Sequence, residues 1–322
     1  MDTPKGVALV NLGSPDAPTP RAVRRYLAEF LSDPLVVDAN RLLWWLVRNA
    51  IVLPLRSRSS ARLYREVWTS EGSPLVAISR RQRELLEREL GSGWRVALGM
   101  RYGRPSLQGA LEELHRAGCR EIVLLGAFPQ SSRSTTGSLE LEACRAALSL
   151  RPEPRMVAAA PYFEHAGYVE ALAERVREAA AGERFDQHVV SVHGLPLRYV
   201  ERGDPYRDHC EATARALAAR LGLAEAEWTL VYQSRFGREP WLQPYAAEAV
   251  PAMAARHPRV LVACPGFVAD CLETLDEIGR LLREAFLAAG GEELRLVPCL
   301  NDHPRWIEAM ADLARSTLAR AG

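Results

Sequence analysis

His188-Val189-Val190-Ser191-Val192-His193-Gly194-Leu195-Pro196 is an apolar run that ends on an imidazole and then meets a glycine and a proline. Its length and β-branched content are those of a buried strand, and the residues after it forbid the strand to continue. His193 is therefore presented at a strand's carboxyl end rather than packed away. Runs of the same kind recur on either side. Toward the amino terminus they occupy 155–160, 121–128, 94–100 and 7–12, and toward the carboxyl terminus 229–232, 259–264 and 294–299. Helical patterns rich in Ala, Leu, Glu and Arg lie between them, as at 21–31, 80–90, 168–181 and 207–221.

Strand–helix alternation of this kind predicts an α/β fold with parallel sheets and helices on both faces. Four strands fall in each half, so the chain reads as a doubled unit. The expected division is 1–155 for the first domain, 156–303 for a second carrying His193 and Glu273, and 304–322 for a closing helix. A chain of 322 residues agrees with two cores. Ligands of open α/β sheets bind beyond the carboxyl ends of the strands. The segments that look chemical do follow strands: Asn11-Leu12-Gly13-Ser14, Met100-Arg101-Tyr102-Gly103, Pro129-Gln130-Ser131, His193-Gly194, Gln233-Ser234-Arg235 and Cys264-Pro265-Gly266. None carries a dinucleotide fingerprint or a P-loop lysine.

The second chemical segment is Asp270-Cys271-Leu272-Glu273-Thr274-Leu275-Asp276-Glu277. As an α-helix start it would set Asp270, Glu273 and Glu277 at i, i+3 and i+7, on one face. Brought against His193, that face could serve a divalent cation and protons. A plainer reading makes Asp270 an N-cap in a capping box with Glu273. Ser131 to Ser138, after one strand and before a helix, could hold a carboxylate on free backbone N–H groups or could simply cap. Arg101 and Tyr102 supply a cation and an aromatic face, a pair also common as a loop anchor. The remaining histidines, His115, His165, His188, His209, His257 and His303, have no acidic cluster beside them in sequence and read as structural or surface residues.

Composition excludes several classes. Lysine plus arginine number 41 against 40 aspartate plus glutamate, so there is no field to gather a polyanion, and nucleic acid is not an expected partner. Six cysteines without a C-x-x-C pair argue against structural zinc and a disulfide framework. Reduced thiols and the lack of a signal-peptide pattern predict a cytoplasmic protein. The most apolar stretch, 42–55, contains Trp44 and Trp45 but is broken by Arg48, Asn49 and Pro54, too short to span a bilayer. It reads either as a core-facing helix or as an exposed lip for a greasy ligand or a membrane surface, which would place the protein peripherally on the membrane's inner face.

The ordered set of motifs resembles the ferrochelatases, which insert ferrous iron into porphyrins. The matching stretches are Val10 to Thr19, Met100-Arg101-Tyr102-Gly103, Ser134-Thr135-Thr136-Gly137-Ser138, His193-Gly194-Leu195-Pro196, Gly203-Asp204-Pro205-Tyr206, Gln233 to Gly237, Pro240-Trp241-Leu242 and Pro265 to Leu275. The resemblance implies two similar Rossmann-like domains, each a four-stranded parallel sheet, with a porphyrin cleft between them. It implies His193 and Glu273 as the catalytic and metal-handling pair, Asp270 and Glu277 as an acidic continuation for the metal, and Ser14, Arg101, Tyr102 and Gln130 as porphyrin contacts. The implied reaction makes protoheme from protoporphyrin IX and Fe²⁺, with no resident cofactor.

Three departures from the family pattern matter. Arg133 stands where some relatives carry a cysteine and none follows Cys299, so no iron–sulfur cluster is expected. Phe128 and Ser131 replace two tyrosines, and Leu281 ends the acidic track after Glu277. Metallation removes two pyrrole protons. Neutral His193 is the expected acceptor with Glu273 opposite, or His193 the first metal ligand with Glu273 the proton route. Two alternatives stay open: a coproporphyrin III ferrochelatase and a non-catalytic tetrapyrrole carrier of the same fold.

Overall fold

The computed structural model describes residues 3–321. It contains eight strands, β1 (Lys5–Ser14), β2 (Trp94–Gly103), β3 (Glu121–Gly126), β4 (Arg155–Ala158), β5 (Gln187–His193), β6 (Trp228–Gln233), β7 (Arg259–Ala263) and β8 (Glu293–Leu296). All eight strands foreseen from the apolar runs are present. The helices are α1 (Pro20–Phe30), α2 (Arg41–Val47), α3 (Leu53–Val67), α4 (Pro74–Leu90), α5 (Leu107–Arg116), α6 (Ser138–Ala147), α7 (Ala166–Ala180), α8 (Leu197–Glu201), α9 (Tyr206–Leu221), α10 (Ala246–Met253), α11 (Arg283–Ala288) and α12 (Pro304–Ala321).

The strands form two four-stranded, wholly parallel sheets, ordered β2-β1-β3-β4 and β6-β5-β7-β8. The second order repeats the first, which is the doubling foreseen in the sequence. The chain separates into two compact units, one of residues up to 128, 132–160 and from 307 onward, the other of 129–131 and 161–306.

In the first unit, Val7 to Val10 of β1 are at most 2% exposed. The run is continuous rather than alternating because helices cover both faces of a parallel sheet. Leu107, Leu111 and Leu114 of α5 and Leu139 and Ala143 of α6 pack on Ala8, Val10 and Ile122, each large side chain contributing about 1.5–3 kcal/mol of burial. At the end of β1, Gly13 has φ +116, and a Cβ there would lie 1.8 Å from the Tyr102 carbonyl oxygen, so no other residue fits.

In the second unit, Val189, Val231 and Val262 form a core with Ile278, Leu282 and Phe286. The first two of these apolar side chains belong to a π-helix, Glu273–Leu282, whose closing N–H, from Arg283, reaches the Ile278 carbonyl. Thr274, Ile278 and Leu282 are all buried, a spacing of four that seats the wide turn on the sheet.

The 42–55 stretch is not one helix, and of its residues Leu53 alone is buried in the core. Pro54 has no N–H to give, and the chain before it widens into a π turn, Arg48–Val52, between α2 and α3. Trp44 turns inward and donates from Nε1 to the Leu31 carbonyl at 2.7 Å, whereas Leu42, Leu43, Trp45, Leu46, Ile51 and Leu55 are exposed. Of the tryptophan pair, only Trp45 presents itself to the outside.

Candidate functional site

Strand order selects the place. In β6-β5-β7-β8 the chain leaves β5 to one side and returns to the other, so the switch point lies between β5 and β7, at their carboxyl ends. His193 is the last residue of β5, and the loop after β7 runs through Pro265 to Cys271 into the Glu273 helix. Both principal residues therefore belong to one unit and to one end of one sheet.

His193 is half-buried, with the rings of Trp241 and Phe267 at centroid distances of 6.4 and 6.5 Å. Its Nδ1 lies 2.6 Å from the Gly194 carbonyl oxygen. A carbonyl only accepts, so Nδ1 carries the proton of the neutral ring and Nε2 keeps its lone pair. Gly194 is required for this geometry. Its N–H donates to the Gln233 carbonyl at 2.7 Å, and a Cβ there would meet that carbonyl oxygen at 2.9 Å and the Trp241 ring at 3.0 Å.

Gln233 connects the two motifs. It pairs in register with His193 at the end of β6, and its side chain is 2% exposed. The carboxamide oxygen accepts from Ser191 Oγ at 2.7 Å, and the amide nitrogen donates to the Glu273 carbonyl at 2.8 Å and, more weakly, to Glu277 Oε2 at 3.4 Å. Ser234 follows with φ +63, a left-handed conformation rare outside glycine. Glu277 holds it there, accepting from the Ser234 N–H at 2.6 Å and from its hydroxyl at 2.5 Å. The sequence marks Gln233 and Ser234 as a post-strand motif without showing their role. The available signal was the doubling: β6 stands beside β5 as β2 stands beside β1.

The expected acidic face is only partly assembled. The α-helical spacing i, i+3, i+7 does not apply, because the segment is a π-helix and Asp270 precedes it. Asp270 Oδ1 accepts from the Cys299 N–H at 3.1 Å and from Thr274 Oγ1 at 3.4 Å, while Oδ2 accepts from Asn301 Nδ2 at 2.7 Å. Nor does Asp270 close a capping box: Thr274 Oγ1 instead accepts the Cys271 N–H at 3.1 Å. Asp276, which sequence reasoning passed over, is buried against Arg280, with Nη2 2.6 Å from Oδ1. Glu273 has a different neighbour, the buried Cys271 thiol two residues before it. Burial, then the Glu273 charge, pushes that thiol well above its ordinary pKa. Cys264 is raised by burial and then by the charges of Asp270 and Glu277. Among the described residues, no three or more His, Cys, Asp and Glu side chains are arranged to hold a metal ion.

The other anticipated contacts are distributed between the units. Gln130 belongs to the second, is 3% exposed, and donates to Thr213 Oγ1 at 2.8 Å. Ser14, Arg101 and Tyr102 belong to the first. Ser14 is 3% exposed and its Oγ has no hydrogen-bond partner among the described residues. Arg101 and Tyr102 converge on a residue that sequence reasoning missed, Asp33. Its Oδ2 accepts from Arg101 Nη2 at 2.6 Å, Tyr102 Oη at 2.9 Å and Ser138 Oγ at 2.6 Å, and its Oδ1 accepts from the Leu35 N–H at 2.8 Å. Burial alone would raise the Asp33 pKa, but the Ser138 hydroxyl, the Leu35 N–H, the Tyr102 hydroxyl and the Arg101 charge together bring it below its ordinary value. No sequence pattern announces a hub whose members lie 68 and 105 positions apart.

A ferrochelatase family model matches residues 4–318. The chain is 50% identical over 318 residues to the ferrochelatase of Nitrosococcus oceani, covering 96% of this chain and 85% of that one. It is 48% identical over 313 residues to the ferrochelatase of Pectobacterium atrosepticum, covering 96% and 97%. Among solved structures it resembles the sirohydrochlorin chelatase SirB from Bacillus subtilis subspecies spizizenii in complex with cobalt, at TM-score 0.60 and 12% identity, covering 98% of this chain and 96% of that one. It also resembles CbiX, at TM-score 0.52 and 15% identity, covering 97% and 99%. At such identities these structures speak for the fold alone.

Proposed function

The chain belongs to the ferrochelatase family, and from that premise we propose that His193 and Glu273 are the pair through which it inserts ferrous iron into protoporphyrin IX, the last step of protoheme formation. As a ferrochelatase it is a lyase of heme biosynthesis, and the family's substrates are a porphyrin and Fe²⁺. The observation that supports the assignment of the pair is Gln233, whose backbone pairs in register with His193 and whose side-chain amide donates to the main-chain carbonyl of Glu273.

Metallation exchanges two pyrrole N–H protons for one Fe²⁺, so the protein must accept protons where metal enters. His193 Nε2 takes one, because the Nδ1 bond to Gly194 leaves its lone pair free. The resulting imidazolium keeps the same donor bond. Glu273 handles the iron and the second proton. Its neighbours Asp270 and Glu277 are tied to backbone, amide and hydroxyl donors and serve as its scaffold rather than as further metal ligands. Imidazole and carboxylate bind Fe²⁺ without caging it, as a transfer site requires.

For the porphyrin, Ser14 Oγ is a buried hydroxyl with an unspent donor, suited to a propionate. Arg101, Tyr102 and Gln130 are the further porphyrin contacts of this reading, and their polar atoms bond within the protein. The exposed strip on α2 is the landing surface for the apolar ring. It also makes peripheral contact with the inner leaflet of a membrane: residues 39–65 contain six arginines and no Asp or Glu, and no helix of the described residues is long and apolar enough to cross one. The reading is of a cytoplasmic protein without a resident cofactor or iron–sulfur cluster.

Anaerobic chelation followed by absorbance, with Fe²⁺ or Zn²⁺ and with protoporphyrin IX or coproporphyrin III, tests the whole reading. Turnover of protoporphyrin that His193→Ala and Glu273→Gln each abolish is the expected result. Turnover of coproporphyrin alone would overturn the substrate, and full activity in either variant would overturn the pair. Flotation with liposomes containing anionic lipid, reduced by Trp45→Asp, tests the membrane contact.

A further inference from the structure

The Asp33 hub lies at the root of the exposed strip. Helix α2 buries none of its own residues; at its carboxyl end it runs through the π turn into α3, which is anchored by buried Leu53, Ala61 and Tyr64, and elsewhere its placement depends on the bonds that leave it. Trp44 Nε1 donates to the Leu31 carbonyl at 2.7 Å. Arg48, just past its end, donates to Ser32 Oγ and, at 3.4 Å, to the Ala28 carbonyl. All three acceptors lie in residues 28–32, immediately before Asp33. Asp33 is held by the end of β2, through Arg101 and Tyr102, and by the start of α6, through Ser138. Its carbonyl accepts from the N–H groups of Val36 and Val37 at 3.1 and 3.0 Å, which shapes the turn leading toward α2. The charge of Arg101 is already matched by the Asp33 carboxylate 2.6 Å away, and both side chains are largely buried.

We infer that Asp33 is a positioning residue for porphyrin capture: it latches the segment that orients α2 to the ends of β2 and α6 and acts on substrate entry, not on metal insertion. The inference rests on the reading of α2 as the landing surface for the macrocycle. A rigid landing surface spares the encounter the cost of ordering it. Removing the latch therefore raises KM for the porphyrin and leaves the chemical step alone.

The test is Asp33→Asn in the full chain, which keeps shape and loses charge. Amide hydrogen exchange across 34–52 and steady-state KM and kcat for protoporphyrin IX are measured together. Expected are faster exchange in 34–52 with β1 and β3 unchanged, a KM raised about tenfold, the size of one hydrogen bond to a charged group, and an unchanged kcat. Asp33→Glu is expected to restore part of the KM. Unchanged exchange in 34–52, or loosening spread over the whole first unit, overturns the latch. Faster exchange with unchanged KM overturns the role in capture, and Leu43→Asp identifies why: if it too leaves KM unaltered, the reading of α2 has failed rather than the latch. Should Asp33→Asn not fold, Ser138→Ala removes one hydroxyl of the hub and must show the same pattern in smaller measure. Its absence there overturns the inference.

Discussion

Gln233→Leu removes a carboxamide that bridges the two motifs while nearly conserving volume. In the protein this side chain is 2% exposed and makes two strong bonds, from Ser191 Oγ at 2.7 Å and to the Glu273 carbonyl at 2.8 Å. Ser191 is itself 0% exposed, so its hydroxyl would be left without that acceptor in a site that water does not reach. Each stranded group costs about 1–3 kcal/mol, and the leucine returns part of this through apolar burial, for a net loss of about 2–4 kcal/mol. The Glu273 helix keeps its seat through Ile278 and Leu282. The variant therefore folds, but with its first turn less firmly fixed. Activity should fall about 10- to 100-fold, as when an outer partner of a metal ligand is removed. Urea unfolding monitored by circular dichroism gives the first quantity and anaerobic Fe²⁺ chelation the second. A variant within about 0.5 kcal/mol of wild type, the range of an unremarkable surface change, and with full turnover would refute the idea that Gln233 joins His193 to Glu273.

Three further outcomes follow from the geometry. Gly194→Ala would set a Cβ 2.9 Å from the Gln233 carbonyl oxygen, a backbone atom with little room to yield, and should cost about 1–3 kcal/mol with lowered chelation; a wild-type unfolding curve would contradict this. Cys144 is the exposed thiol and the other five are buried, so Ellman's reagent should label one thiol rapidly in the native protein and none in Cys144→Ser; two or more fast equivalents would contradict the burial. Asp33 has a folded-state pKa below its ordinary value, so its contribution to stability is complete above about pH 3.9 and is lost as pH falls through the folded value. Stability curves of wild type and Asp33→Asn should thus converge in acid, and curves that stay parallel would show that the Asp33 charge contributes nothing.

The periodicity of the chain carried most of the architecture. Eight apolar runs separated by helical patterns could be satisfied only by parallel strands covered on both faces, and their equal division between the halves matched the repeated sheet order. His193 was legible because the residues after it end a strand, which is a local event. The nature of the acidic segment was not legible. An α-helical spacing places Asp270, Glu273 and Glu277 together, but the turn is a π-helix seated by Thr274, Ile278 and Leu282, and Asp270 is drawn away by Asn301 and Cys299. Nothing in the segment's own letters distinguishes those outcomes.

What the sequence determined alone was whatever depends on neighbours along the chain: strand ends, helix periods, the glycine and proline stops, and the motif set of the ferrochelatase family. Tertiary structure decided which polar atoms are already spent. Asp33 gathers Arg101, Tyr102 and Ser138, Glu277 is committed to Ser234, and Ser14 has no such partner among the described residues. The physical reason is that a buried polar group must be matched by whichever donor or acceptor the fold brings within about 3 Å, and that partner lies at a distance along the chain that no local pattern encodes.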